Sequence, residues 1–451
     1  MQTLIEHAHP PKSWRAAWVI FRTSNWTVPA IFLLALGLRL AVVVLFPIDP
    51  GSDSLWYLHR GRELAAGMGF QEAGLPTAFW PVGYPALIGI ACAVFGPSTT
   101  GPILFNLIAQ AATILLILWF ARTLALGESS ARMAALLYAL YPAHIFYTAD
   151  TAAEPTSTAV VMAGMALLTQ TRGRSWPALA AGVVLGVATL MRAQILLLLP
   201  FVLAPMLLAV PGFGWREALR AGLAAIIGMA IVILPWTGRN MVLLDAPVLV
   251  STNGGFALQA GANSLTDGGY FQVEKSPLWA EVGIPWSQRV AYQVTIDVRL
   301  KRMARRWIME HPVQWTLLGF RKVTLLWLKD ADGFWPVQKS HPQLATVWRV
   351  AQAMNQFFYF AVLAAGTFGF ARSARSAWRR DSSAPLLVAA AMPVFCTAIA
   401  FGFSGQTRYH YAAMPFLMIS CGFVLAGFLD RRAGAMTAPT PSTGSVSQPM
   451  S

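Results

Sequence analysis

Negative charge is scarce in this sequence: 19 Asp and Glu stand against 33 Lys and Arg in 451 residues, and charged residues together make up 12%. A soluble domain carries about 25%, so the shortage excludes an ordinary water-soluble fold and points to an integral membrane protein. Cysteine is almost absent. Cys92, Cys396 and Cys421 all lie in apolar stretches, and an odd number without close spacing supports neither a disulfide framework nor a zinc site. A cleavable leader is not expected either. The basic N-terminal segment is long, the run 28–46 has the length of a membrane span, and no small-residue cleavage site follows it. No internal repeat or inverted pair of half-domains is visible, which weighs against a secondary transporter.

What is abundant is apolar surface, at 56% of residues. Runs of roughly 17–25 apolar residues mark candidate spans, and they fall near 28–47, 101–121, 132–149, 153–170, 177–191, 193–210, 218–236, 348–370, 384–403 and 409–428. The expectation is an all-α polytopic membrane protein of about ten transmembrane helices. One membrane domain, 28–432, stands between a cytoplasmic or interfacial segment 1–27 and a disordered tail 433–451 rich in Ala, Thr, Pro and Ser. The net charge of +14 would raise nucleic acid as a partner in a soluble protein. Here many basic residues fall in short loops beside apolar runs, the positive-inside pattern, so no nucleic-acid partner is expected.

Charge parity sets the topology. Lys12, Arg15 and Arg22 place the N-terminus in the cytoplasm. Arg122/Arg132, Arg172/Arg174, Arg216/Arg220, Arg372/Arg375/Arg379/Arg380 and Arg431/Arg432 join them only if the short segment 84–95 does not cross. It then reads as a juxtamembrane or re-entrant helix. Segment 312–328 reads as an interfacial amphipathic helix whose polar face includes Gln314, Arg321 and Lys322. Both termini are cytoplasmic, and the outer side carries two large loops, 48–100 and 237–347. A bacterial cytoplasmic membrane is the expected location.

With that topology the chemically informative residues collect on the outer face, and an ionisable residue near the bilayer is a functional hypothesis by default. Asp53, in Gly51-Ser52-Asp53-Ser54, can serve as a general base that takes a proton from an acceptor hydroxyl. Alternatively it caps a helix starting at Ser54. Glu154 opens an apolar span, either as a first-turn carboxylate or as a second active-site acid, a role for which Asp150 competes. Asp53 and Glu154 together could hold Mg²⁺ or Mn²⁺. Arg408, in Gly405-Gln406-Thr407-Arg408-Tyr409-His410-Tyr411, can fork onto a lipid phosphate or snorkel beside Tyr409. Arg192, Arg239 and Arg60 are further phosphate candidates, and Tyr57, Tyr84 and Tyr409 are candidates for contact with the sugar or phosphate. Arg39, inside the first span, pairs internally or snorkels. The glycines of 251–255 and 261–263 serve turns.

These residues form an ordered series that resembles the GT-C glycosyltransferases, in particular the bacterial branch related to dolichyl-phosphate-mannose protein mannosyltransferases and the lipid A aminoarabinose transferase. The resemblance is carried by Asp53 with Tyr57, the loop 76–85, Glu154 opening a helix, 234–240, 251–255, and Arg408-Tyr409 ahead of Pro415. It covers nearly the whole chain. It implies transfer of a sugar, usually with inversion, from a polyprenyl-phosphate donor in the membrane to a glycan, lipid or protein acceptor outside. Asp53 would be the first-loop acid and Glu154 the second-loop acid. Departures exist: Ser54 stands where many relatives have a second acid, and the Gly-Asn element is spread as Gly261-Ala262-Asn263. The rival readings are a flippase or carrier for lipid-linked sugars, a ligase using a lipid pyrophosphate donor, and a structural assembly subunit.

Overall fold

The computed structural model describes residues 13–171, 174–379 and 384–435. Lys12, Arg172, Arg380 and the tail beyond Ala435 lie outside the described residues. The first half of the chain begins with α1 (Ser13–Thr23), α2 (Thr27–Leu45), α3 (Asp53–Ala65), α4 (Gly83–Phe95) and α5 (Thr100–Thr123). It continues through α6 (Glu128–Leu140), α7 (Pro142–Tyr147), α8 (Glu154–Leu168), α9 (Trp176–Met191) and α10 (Leu199–Ala209) to α11 (Trp215–Leu244). The long connection between α11 and α17 contains α12 (Gly254–Gly261), α13 (Trp279–Val282), α14 (Gln293–Glu310), α15 (Pro312–Leu328) and α16 (Trp335–Ser340). α17 (Ala345–Arg379), α18 (Leu387–Gly402) and α19 (Met414–Ala435) complete the chain. A two-stranded ribbon, Gln71–Glu72 with Leu75–Pro76, is the sheet among the described residues.

Among the described residues five helices are long and apolar enough to cross a membrane, within 27–45, 100–123, 215–244, 342–379 and 407–433, and shorter apolar helices stand among them. The chain is a multi-pass membrane protein. Three expected spans are broken rather than continuous, that near 409–428 because it opens in the 3₁₀ segment Thr407–Ala413 before α19. Span 132–149 divides at Tyr141-Pro142, because Pro142 offers no N–H to continue α6. Span 193–210 begins as a tight 3₁₀ turn, Ala193–Leu197, before α10.

In hydrocarbon the carbonyls freed at a helix break need donors. Arg39, fully buried in α2, supplies them: one guanidinium nitrogen reaches the Ala139 carbonyl at 3.2 Å and the other the Tyr138 carbonyl at 3.2 Å. The expectation of internal pairing is therefore met by backbone rather than by a carboxylate.

Helix packing relies on small residues, as is usual between membrane helices. A Cβ on Gly182 would lie 2.1 Å from the Ala225 carbonyl oxygen, and one on Gly228 would lie 2.2 Å from that of Leu179. These contacts press α9 onto α11. α6 packs on α19, α8 on both α5 and α9, and α15 on α18.

Lys322 departs from its expected place on the polar face of α15. It is fully buried, with Nζ 3.3 Å from the Phe401 carbonyl, because α15 turns its Gly319, Lys322 and Leu326 side against the end of α18. Burial pushes its ammonium down to about 8.

Candidate active site

Asp53 is the first residue of α3, and Ser52 before it has φ 51°, a left-handed conformation that costs a non-glycine residue about 1 kcal/mol or more. No side-chain cap bond forms at this helix start. The Asp53 carboxylate is instead held 2.7 Å from Arg408 Nη1, and its other oxygen accepts from Ser52 Oγ at 3.1 Å. That contact joins the loop 48–100 to the start of the last apolar helix, 355 residues later in the chain.

Arg408 is placed from the other side. It lies in the 3₁₀ segment Thr407–Ala413 that leads into α19. One oxygen of Asp332 accepts both its backbone N–H and the Thr407 hydroxyl, each at 2.6 Å. Two residues earlier, buried Asp330 accepts from Tyr141 Oη and from Asn355 Nδ2 at 3.1 Å, and lies 3.2 Å from His410 Nε2. Burial alone would raise the Asp330 carboxyl, but these hydrogen bonds outweigh it and bring it below its ordinary value. The opposite nitrogen of His410 is 2.7 Å from the Leu326 carbonyl, and its ring stacks between Trp327 and Tyr359. The segment carrying Arg408 is thus tied down at both carboxylates.

The second ion pair lies alongside. Glu154, buried at the first position of α8, meets Arg192. Arg192 is in extended conformation at the junction between α9 and the following 3₁₀ turn. The break therefore directs its guanidinium sideways into the site.

Glu154, Arg192 and Arg408 share the wall of one narrow cleft of about 30 Å³ with Tyr409 and with the α18 residues Met392, Phe395, Cys396 and Ile399. It is charged at one end and apolar along the side that follows α18. Arg408 Nε is buried without a hydrogen-bond partner, so one donor of that guanidinium is uncommitted.

Tyr57 and Tyr84 stack edge to face, with ring centroids 5.5 Å apart. Burial, and then the Asp53 carboxylate, push the Tyr57 hydroxyl above its ordinary range, so it stays a neutral donor. Asp150 is buried and pushed up to about 7, first by burial and also by the charges of Glu154 and Asp53, with Ser54 and the Thr151 N–H opposing the shift.

Two of the expected arginines are committed elsewhere. Arg60 is bidentate to Glu63 at 2.6 and 2.7 Å and lies over Trp56. Arg239 donates to the Thr77 and Phe70 carbonyls at 2.8 and 2.7 Å and lies over Trp236, which fastens the loop 48–100 to α11. The hydroxyl of Tyr409 accepts from Gln406 Nε2 at 3.1 Å. Asp330, Asp332 and His410 are residues that sequence reasoning missed. In a chain with so few acids, the pair in Lys329-Asp330-Ala331-Asp332 was a usable signal.

Among the described residues no group of three or more His, Cys, Asp or Glu converges as metal ligands. Asp53 and Glu154 each already face a guanidinium, and that positive charge opposes a dication at the same oxygens. The two carboxylates do not form a donor set that fits Mg²⁺ or Mn²⁺.

Residues 80–237, less than half of the chain, match the family model for dolichyl-phosphate-mannose-protein mannosyltransferase. An oligosaccharyltransferase structure, AglB from Archaeoglobus fulgidus in complex with an inhibitory peptide and a dolichol-phosphate, superposes with a TM-score of 0.53 at 15% identity. The match covers 94% of this chain and 53% of that one. The fold is GT-C. This GT-C chain spans about half the length of AglB. A second structure of the Archaeoglobus fulgidus oligosaccharyltransferase, tethered with an acceptor peptide, gives a TM-score of 0.49 at 16% identity over 90% of this chain and 50% of that one. ArnT from Cupriavidus metallidurans bound to undecaprenyl phosphate gives 0.43 at 15% identity over 96% and 82%. No curated protein sequence matches the chain.

Proposed function

We propose that this GT-C chain is a membrane glycosyltransferase that moves a sugar from a polyprenyl-phosphate donor to an extracytoplasmic acceptor. The observation that carries the reading is the cleft. Two guanidiniums stand at its charged end and an apolar wall leads along α18, which suits a lipid whose headgroup is a phosphate. The family match and the dolichol-phosphate in the AglB structure support the same donor class.

In the chemistry that follows, the acceptor oxygen attacks the anomeric carbon while the bond from that carbon to the phosphate oxygen breaks. The electron pair leaves with the polyprenyl phosphate, whose charge Arg408 and Arg192 neutralise. The acceptor proton goes to Asp53. A single displacement of this kind inverts the anomeric centre. Glu154 holds Arg192 in place before the donor arrives. Asp53 does the same for Arg408 and is released to act as base when the phosphate takes over that guanidinium. A lipid pyrophosphate is the second reading, favoured by the presence of two cations rather than one at the head of the cleft.

The test uses purified protein in nanodiscs, radiolabelled polyprenyl-phosphate sugars, and a crude membrane extract as acceptor. Transfer by the wild type and its loss in Asp53→Asn, with an unchanged melting temperature, is expected. Normal transfer by the variant would remove Asp53 as base. If neither protein consumes donor, a pyrophosphate-linked sugar is tried next; its turnover would favour the ligase, and its inertness would leave the carrier.

A further inference from the structure

α14 carries five basic residues, Arg299, Lys301, Arg302, Arg305 and Arg306, in one helix of 18 residues. Its two faces are sharply divided. Ile296, Asp297, Leu300 and Ala304 are buried against the rest of the outer loop, where the Gly255 N–H donates to Asp297 at 2.6 Å. On the opposite side Val298, Lys301, Arg302, Arg305, Arg306 and Met309 line an open depression of about 420 Å³. Lys301 pairs with Asp297, and Arg306 pairs with Glu281 through two exposed side chains. No hydrogen bond or ion pair among the described residues engages Arg302 or Arg305.

The position of this stripe needs a cause. The α14 residue Gln293 donates to the Pro76 carbonyl at 2.9 Å and accepts from the Ala78 N–H at 2.8 Å. α14 therefore belongs to the same end of the molecule as Asp53 and Arg408. In the expected topology that end is the outer one, where a surplus of arginine runs against the positive-inside trend. The next element identifies what the arginines meet. Only His311 separates α14 from α15, whose Val313, Leu317 and Phe320 are exposed apolar residues while its other side packs on the membrane helix α18. The exposed side of α15 requires hydrocarbon. A basic stripe that ends within two turns of it sits at the depth of lipid headgroups.

We infer that the exposed face of α14 binds the anionic phosphate headgroups of membrane lipid and fastens the outer loop to the bilayer beside the cleft. Because the apolar side of α14 is spent on the protein, recognition there is by charge rather than by insertion. Each basic residue near an anionic surface contributes about fivefold in affinity, the equivalent of about 1 kcal/mol. The inference does not depend on sugar transfer, and its test does not measure it.

The experiment is native mass spectrometry of the full-length protein in detergent, titrated with phosphatidylglycerol and separately with phosphatidylcholine. Preferential, salt-sensitive retention of phosphatidylglycerol is expected, weakened about fivefold by Arg305→Gln and about a hundredfold by Arg302→Gln/Arg305→Gln/Arg306→Gln. Lysine at the same three positions should keep the preference. Equal retention of the two lipids, or an undiminished preference in the correctly folded triple variant, would overturn the inference. Should the triple variant not fold, Arg305→Gln at an exposed site decides it alone. Displacement of the lipid by a soluble polyanion at equal charge concentration would assign the stripe to a soluble partner instead.

Discussion

Glu154 and Arg192 are both largely shielded, with side-chain exposures of 8% and 19%, whereas Asp53 and Arg408 keep 28% and 31%. The difference separates what each pair does for the fold from what it does for the chemistry. Removing one member of a shielded pair strands the other charge and typically costs about 3–5 kcal/mol. Glu154→Gln alone should thus lower the melting temperature sharply, and Glu154→Gln with Arg192→Gln should recover much of it. A double-mutant cycle by thermal melting reads this directly. Asp53→Asn should leave the melt nearly unchanged and reduce transfer at least about a hundredfold, measured with the labelled donor. Asp150 makes stability depend on pH. Its folded value of about 7 lies above the ordinary 3.8, so the folded state holds a proton that the unfolded chain has released. Its contribution is complete below about 4 and is lost as pH rises towards 7. Wild type should melt lower at pH 8 than at pH 5, and Asp150→Asn should flatten that difference.

At the level of helices, the contact between α9 and α11 tolerates little change. Both glycines there face backbone rather than flexible side chains, so the helices must separate to admit anything larger. Gly228→Leu is expected to destabilise by about 3 kcal/mol or more and to reduce the yield of folded protein in size-exclusion chromatography. Helix positions were legible in the sequence where an apolar run was continuous, since 28–47 and 101–121 coincide closely with α2 and α5, and amphipathic spacing likewise located 312–328 as α15. The breaks were less legible. Pro142 marked one, but hydropathy continues across it and concealed the turn. The junction at Arg192 was visible as a polar interruption, yet nothing local showed that its guanidinium turns towards Glu154. Lys322 was misplaced for a related reason. Helical spacing identifies a face, but whether that face meets water or the end of α18 depends on a helix about 65–80 residues later in the chain.

For the molecule as a whole, the site was legible as a set of outer-face charges and not as a set of pairs. Asp53, Glu154, Arg192 and Arg408 stand out because charge is rare beside apolar runs. Which carboxylate meets which guanidinium is decided by contacts spanning up to 355 residues. That pairing bears on metal dependence, since both candidate carboxylates are engaged by arginine. EDTA is therefore expected to leave sugar transfer unchanged, and restoration of an EDTA-inhibited reaction by Mg²⁺ or Mn²⁺ would show that the carboxylates exchange partners during turnover. Arg39 imposes a condition of a different kind, on the order of synthesis. Besides the Ala35 carbonyl one turn earlier, its guanidinium donates to Gln110 and to the carbonyls of Tyr138 and Ala139, these last three translated roughly 70 to 100 residues after it. Until they emerge, the first span carries a charge whose release into lipid costs about 2.5–3.5 kcal/mol. The nascent first span should therefore linger at the insertion machinery until α6 arrives, and Arg39→Leu should let it leave early, which crosslinking of ribosome-arrested chains of graded length would time.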